Sequence, residues 1–139
     1  MVQIIAGKKG KGKTKHLLDM ANAAIKGANG TVVYLDKSAQ HMYELNNKVR
    51  LIDVSGFPVK NADEFVGFIC GILSQDHDLE QIYLDSFLKV AKLEDKDITG
   101  TLGQLDEIGK QFNVTFVISV SLDKEEIPEV LHGKISVAL

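Results

Sequence analysis

The sequence predicts an α/β fold: a three-layer αβα sandwich with a mainly parallel sheet of five or six strands. Two observations support this prediction. Short apolar segments alternate along the chain with amphipathic segments of about three helical turns, as in sheets whose parallel strands are joined by helices. Most of the apolar segments are also continuous, which is typical of strands buried on both faces. No repeat or linker divides the chain, so we expect a single domain over residues 1–139.

Six segments rich in apolar or β-branched residues are predicted to be strands. They cover residues 2–6, 31–35, 49–54, 82–84, 114–120 and 135–139. The segment 49–54 differs from the others because its apolar and polar residues alternate. This alternation predicts a strand at an edge of the sheet, with one side exposed to water.

Four helices are predicted from apolar residues at helical spacing. The first helix follows residue 12, and the second covers residues 38–46. The third and fourth begin with capping-box sequences, at 61–64 and 101–104 respectively. In the second helix, Met42 and Leu45 are expected to face inward. In the fourth, the inward face is expected to run from Leu102 to Phe112.

The composition limits the classes of function. The net charge is −3, so the charge does not indicate binding to nucleic acid. The longest apolar segment, residues 114–120, is far shorter than the roughly 20 residues that cross a bilayer. Cys70 is the only cysteine, which excludes internal disulfides and cysteine-based zinc sites. We therefore expect a cytoplasmic protein that does not span a membrane.

A glycine-rich segment follows the first predicted strand, and its sequence is Gly7-Lys8-Lys9-Gly10-Lys11-Gly12-Lys13-Thr14. The spacing Gly-x-x-x-x-Gly-Lys-Thr is that of a phosphate-binding loop, in which backbone N–H groups and a helix N-terminus surround an anion. We expect this segment and Lys15 to bind the phosphates of a nucleoside triphosphate, most simply ATP with Mg²⁺. Lys13 would reach the β- and γ-phosphates and act catalytically, and the Thr14 hydroxyl would be a ligand of Mg²⁺.

Two other predicted strands end in an aspartate. Asp36 follows the strand 31–35, and Asp85 follows the strand 82–84. Ligands of parallel sheets bind at the carboxyl ends of the strands, so both carboxylates are candidates for the site. Asp36 would either orient an attacking water molecule or begin the turn towards Ser38. Ser119, at the end of the segment 114–120, could approach the γ-phosphate, but we expect it to have a structural role.

These residues resemble the P-loop NTPase superfamily, and most closely its RecA-like branch. The resemblance rests on three segments: the Walker A loop at 7–14, a second strand over Thr31–Asp36, and a Walker B strand at 82–86. It implies a parallel core in which the strand 114–120 lies between the Walker A and Walker B strands. It also implies that Asp85 holds Mg²⁺, usually through water.

The sequence departs from this family at the positions that support fast hydrolysis. RecA-like ATPases carry a glutamate near the end of the second strand, where this chain has Asp36 and Lys37. Many related ATPases carry a glutamate directly after the Walker B aspartate, where this chain has Ser86. Arg50 is the only arginine that could serve as an arginine finger. We therefore expect ATP binding with slow hydrolysis.

Other functions remain open at this stage. A nucleotide-dependent switch or assembly module with little hydrolysis would also fit the missing glutamate and the minimal length. A small-molecule kinase would need arginines that this chain lacks, and a guanine-reading signature after residue 120 is absent. A doubly wound domain that binds a different phosphate also remains open. The partner beyond the nucleotide is unknown; a protein partner or a second copy of the chain would fit.

Overall fold

The computed structural model describes all 139 residues and contains one sheet of six parallel strands. The strands are β1 Val2–Ala6, β2 Thr31–Asp36, β3 Arg50–Asp53, β4 Leu79–Leu84, β5 Thr115–Val120 and β6 Ile135–Ala138. Their order across the sheet is β3-β2-β4-β5-β1-β6. The predicted edge position of the segment 49–54 is confirmed, because β3 ends the sheet. Strand β5 lies between β1 and β4, in the position that the resemblance implies.

The helices pack on both faces of this sheet. They are α1 Lys13–Gly27, α2 Ala62–Ser74, α3 Phe87–Val90 and α4 Thr99–Phe112, with short 3₁₀ turns at Met42–Glu44, Val54–Gly56, Lys124–Glu126 and Glu129–Lys134. None of these helices is both long enough and apolar enough to cross a lipid bilayer.

The two faces of the sheet carry cores of unequal size. The face covered by α2, α3 and α4 has a cluster of 25 buried apolar residues, whereas the face covered by α1 has a cluster of 10. Alternate residues of one strand belong to different clusters: Ile4 of β1 packs under α4 and α2, and Ile5 packs under α1. The three-layer αβα architecture predicted from the sequence is therefore confirmed, with a thinner layer on the α1 side.

The predicted helix over residues 38–46 is wrong. Only Met42–Glu44 forms a single 3₁₀ turn, in which Met42 is 45% exposed, and only Leu45 is buried. Side-chain hydrogen bonds from α1 replace the helical ones. Asn22 donates to the Glu44 carbonyl at 2.9 Å and accepts from the Asn46 amide at 2.7 Å. The segment therefore forms short turns beside α1, in which the Met42 amide donates to the Ala39 carbonyl and the Glu44 amide donates to the His41 carbonyl.

The boundaries of α4 also differ from the prediction. The helix begins at Thr99, where the Asp97 carboxylate accepts hydrogen bonds from the Thr99 amide and hydroxyl. Thr101, predicted as the cap, lies inside the helix. Phe112 was predicted to face inward but is 52% exposed, because the helix ends there at the left-handed Asn113. The short helix α3 was not predicted, since four residues are too few to show a helical period.

Candidate nucleotide-binding site

A cleft of about 850 Å³ opens at the carboxyl edge of the sheet. Because all six strands are parallel, the segments that follow β1, β2, β4 and β5 meet at this edge. The cleft is lined almost entirely by polar and charged residues, with only three apolar ones among them. Lys13, Thr14, Asp36 and Asp85, predicted from three separate segments of the sequence, all line it.

The loop between β1 and α1 presents a row of free backbone donors. Gly10 and Gly12 have φ angles of 88° and 91°, a left-handed conformation that glycine adopts without strain. The Gly7 amide anchors the loop through the Leu122 carbonyl at 2.8 Å. From Lys8 to Lys15, only the Lys11 amide donates a hydrogen bond within the protein. The other N–H groups of this turn and of the helix N-terminus remain available to an anion.

The ammonium group of Lys13 lies inside this loop. Lys13 is only 6% exposed, and its Nζ donates to the Lys8 carbonyl at 3.0 Å. No carboxylate lies within ion-pair distance of it, and Lys13 therefore takes part in none of the ion pairs of the structure. Burial lowers the pKa of this ammonium, and the more distant Asp85 opposes that shift. A buried cation without a counter-ion is costly, so the site is electrostatically incomplete without an anion.

Asp85 is held by hydrogen bonds from three surrounding elements. Its Oδ2 accepts from the Tyr34 hydroxyl of β2 at 2.8 Å. Its Oδ1 accepts from Ser119 of β5 at 2.9 Å, from Thr14 of α1 at 3.3 Å and from the Ser86 amide at 2.9 Å. Ser86 is left-handed, with φ of 53°, which turns its amide back towards the carboxylate. The Asp85 carboxylate is therefore fixed beside the phosphate loop before any ligand binds.

Tyr34 was missed in the sequence. Its ring stacks on Tyr83 at a centroid distance of 6.3 Å, and its position inside an apolar strand is that of an ordinary core residue. Burial, together with Asp85, raises the pKa of the phenol, so that it stays a hydrogen-bond donor. Ser119 was assigned a structural role, yet its hydroxyl bonds directly to Asp85. The available signal was a serine near the carboxyl end of a mostly apolar strand.

Asp36 is the second carboxylate of the cleft. It is 2% exposed, and the Lys37 amide donates to its Oδ1 at 2.7 Å. Burial raises the pKa of Asp36 from 3.8 to about 6, and the negative charge of Asp85 adds to the rise. A carboxyl group with this pKa can exchange a proton near neutral pH, which suits a group that orients water.

The residues at the bottom of the cleft fit a magnesium ion. Thr14 Oγ1 and Asp85 Oδ1 are hard oxygen ligands that lie 3.3 Å from each other, close enough to share one cation. No group of three or more histidine, cysteine or acidic side chains forms a metal site. Magnesium at such sites takes only one or two protein ligands and completes its shell with phosphate and water.

The lysines of the loop do not share one location. Lys9 lines the cleft. Lys8 instead pairs with Glu126 at 2.7 Å, and Lys15 pairs with Asp19 at 3.4 Å. Lys8, Lys11 and Lys15 are not among the residues that line the cleft.

Arg50 also lies away from the cleft. It pairs with Asp76 at 3.4 Å on the edge strand β3 and is absent from the lining of the cleft. This chain therefore brings no arginine to its own phosphate loop.

Replacement of Tyr34 by phenylalanine is expected to lower the free energy of unfolding by about 2 kcal/mol. The change removes a buried hydrogen bond to a carboxylate, and such bonds contribute roughly 1.5–3 kcal/mol. Tyr83→Phe is the matched control, because its hydroxyl bonds to the neutral Gln81 side chain. It should cost at most about 1 kcal/mol. Urea denaturation of both variants measures the difference, and equal losses would mean that Asp85 does not depend on Tyr34.

The sequence matches no protein-family model and no curated protein.

Proposed function

We propose that this protein binds ATP with Mg²⁺ in the cleft and hydrolyses it slowly. The observation that supports this most strongly is the phosphate loop itself. Its unpaired N–H groups surround Lys13, a buried ammonium without a carboxylate partner. Most of these N–H groups lie on exposed residues, whereas the ammonium is buried without a counter-ion, and a polyphosphate would bind to both. Such an activity belongs in the cytoplasm, where ATP and Mg²⁺ are abundant.

The residues of the cleft divide the work between them. The loop amides and Lys13 bind the phosphates and stabilise the negative charge that develops on the transferred group. Thr14 and Asp85 hold Mg²⁺, with Tyr34 and Ser119 fixing the carboxylate. The metal, when bound, neutralises part of the phosphate charge.

Asp36 is the proposed group that accepts a hydrogen bond from the attacking water molecule and so orients it. It is ionised for the most part at neutral pH, since its pKa is about 6, and it lines the same cleft as Lys13 and Thr14. Its short side chain is already engaged by the Lys37 amide. With no glutamate at this strand end and no arginine in the cleft, we expect turnover that is slow compared with ATPases carrying both.

A nucleotide-dependent switch is the second candidate, and one observation favours it. The segment that follows Asp85 contains three of the four non-glycine residues with positive φ: Ser86, Lys92 and Asp95. Such conformations are held by their surroundings and often mark segments that change shape. A ligand on Asp85 could bias this segment and so alter a surface for a protein partner or a second copy of the chain.

Equilibrium titration with a fluorescent ATP analogue, with Mg²⁺ and then with EDTA, is the first test. Phosphate release is then followed over hours on the wild type and on Asp36→Ala. Binding that requires Mg²⁺, with release that Asp36→Ala abolishes, would support the proposed ATPase. Binding without release would favour the switch. If no nucleotide binds under either condition, the proposal is wrong.

A further inference from the structure

A second cavity, of about 370 Å³, adjoins the nucleotide cleft at the same edge of the sheet. The segment after β3, from Val54 to Val59, forms one side, and the segment from Lys89 to Glu94 forms the other. Lys37, Lys89 and Glu94 line both the cleft and this cavity, so the two spaces are neighbours. Its volume lies in the lower part of the range of small-molecule sites.

One wall of this cavity is apolar, although most of its lining residues are polar or charged. Val54 and Val90 are buried, while Phe57 lines the cavity and is 51% exposed. Phe57 is held by Phe68 of α2, with the ring centroids 5.2 Å apart. An aromatic ring that is fixed in place but half exposed offers apolar area that a ligand can cover at little cost in conformational entropy.

The rim of the cavity is positively charged. It carries Lys37, Lys89 and Lys92 against the single acid Glu94. None of the three lysines lies within 4.0 Å of a carboxylate, and all three are exposed. A wall with three unpaired cations and one anion creates a positive potential that attracts anions into the cavity.

We propose that this cavity binds a small organic anion in which a phosphate or carboxylate group is attached to an aromatic or aliphatic body. The lysines of the rim bind the charged group, and the exposed part of Phe57, together with Val59, covers the apolar body. Inorganic phosphate has no apolar body to contact Phe57, and a neutral apolar molecule has no charge for the lysines, so each should bind in this cavity much more weakly. The site is distinct from the phosphate loop and does not require that nucleotide be bound.

Phenyl phosphate is a suitable probe for this cavity, with inorganic phosphate and benzyl alcohol as the charged and apolar halves of the same molecule. Amide chemical shifts of the ¹⁵N-labelled chain are followed during each titration. We expect phenyl phosphate to shift amides at 54–59 and 89–94 saturably. Inorganic phosphate should shift only the loop at 8–15, and benzyl alcohol should bind more weakly than phenyl phosphate. Shifts from phenyl phosphate that stay within the loop would overturn the proposal.

Charge reversal at the rim provides the matched variants. Lys92→Glu changes a lysine that lines only this cavity, and Lys48→Glu makes the same change at an exposed site before β3. Lys92→Glu should weaken phenyl phosphate binding about tenfold, and Lys48→Glu should leave it unchanged. Equal affinities in the two variants would refute the proposal.

A further variant and a separate titration serve as controls for this test. If Lys92→Glu does not fold, Phe57→Ser tests the apolar wall, and unchanged affinity in that variant would also refute the site. ATP titration of the same samples separates this result from the proposed function, since either site can fail alone.

Discussion

Replacement of Lys13 by alanine is expected to weaken ATP binding about a hundredfold or more. The Lys13 ammonium is buried in the loop and engages a single carbonyl, so a bound polyphosphate would gain one or two charge-assisted bonds of roughly 1.5–3 kcal/mol each. A fluorescent ATP titration in the presence of Mg²⁺ measures the loss.

Lys11→Ala is the matched control for this variant. Lys11 belongs to the same loop, but its side chain is exposed and does not line the cleft. Its removal should therefore change the affinity by no more than a few-fold. Because Lys13 is a buried cation without a carboxylate partner, Lys13→Ala should also remain folded. Similar affinities in the two variants would show that the loop does not use Lys13 to bind phosphate.

Replacement of Asp36 by asparagine is expected to stabilise the metal-free protein by about 3 kcal/mol at pH 8, which corresponds to roughly 10 °C in Tm. Burial, and then the charge of Asp85, raise the pKa of Asp36 from 3.8 to about 6. Above pH 6 the folded protein therefore holds an unfavourable charge that the unfolded chain exposes to water. Asparagine removes this charge and can still accept the hydrogen bond of the Lys37 amide.

The stabilisation should depend on pH in a defined direction. Between pH 6 and pH 4 the folded protein takes up a proton at Asp36 before the unfolded chain does, so the wild type gains stability as the pH falls. The advantage of Asp36→Asn should shrink over this interval and almost vanish near pH 4. Urea denaturation in EDTA at several pH values measures it, with the exposed Asp78→Asn as the control. A constant difference across this pH range would contradict the raised pKa.

The sequence predicted the architecture well because its strongest signals are long. Continuous apolar strands and three-turn amphipathic helices are repeated along the chain, so single errors did not change the fold. The errors fall where the signal is short. Residues 38–46 have a helical pattern, but hydrogen bonds from Asn22, distant in the sequence, tie the end of this segment to α1, and only one 3₁₀ turn forms. Phe112 has the spacing of an inward residue, but its position depends on where α4 ends.

The candidate site was only partly predictable for a similar reason. Lys13, Thr14, Asp36 and Asp85 belong to motifs or strand ends, and all of them meet in the cleft. Tyr34 has no motif, because its role depends on which strand lies beside β4. For the lysines of the loop, the residues were evident from the sequence but not all of their ion-pair partners were. Their charge is visible in the sequence, and so is the i,i+4 spacing of Lys15 and Asp19, but Lys8 pairs with Glu126, which only the fold brings near.

The unequal cores have a consequence for the motions of the molecule. Helix α1 begins at the phosphate loop, and it packs on the smaller of the two apolar clusters. Local unfolding of α1 would remove Leu17, Leu18 and Ala21 from this cluster and so expose much of the core on that face of the sheet. A ligand that binds the loop stabilises only the closed state of this helix. Nucleotide would therefore reduce the local unfolding of α1 and make this face of the protein more rigid.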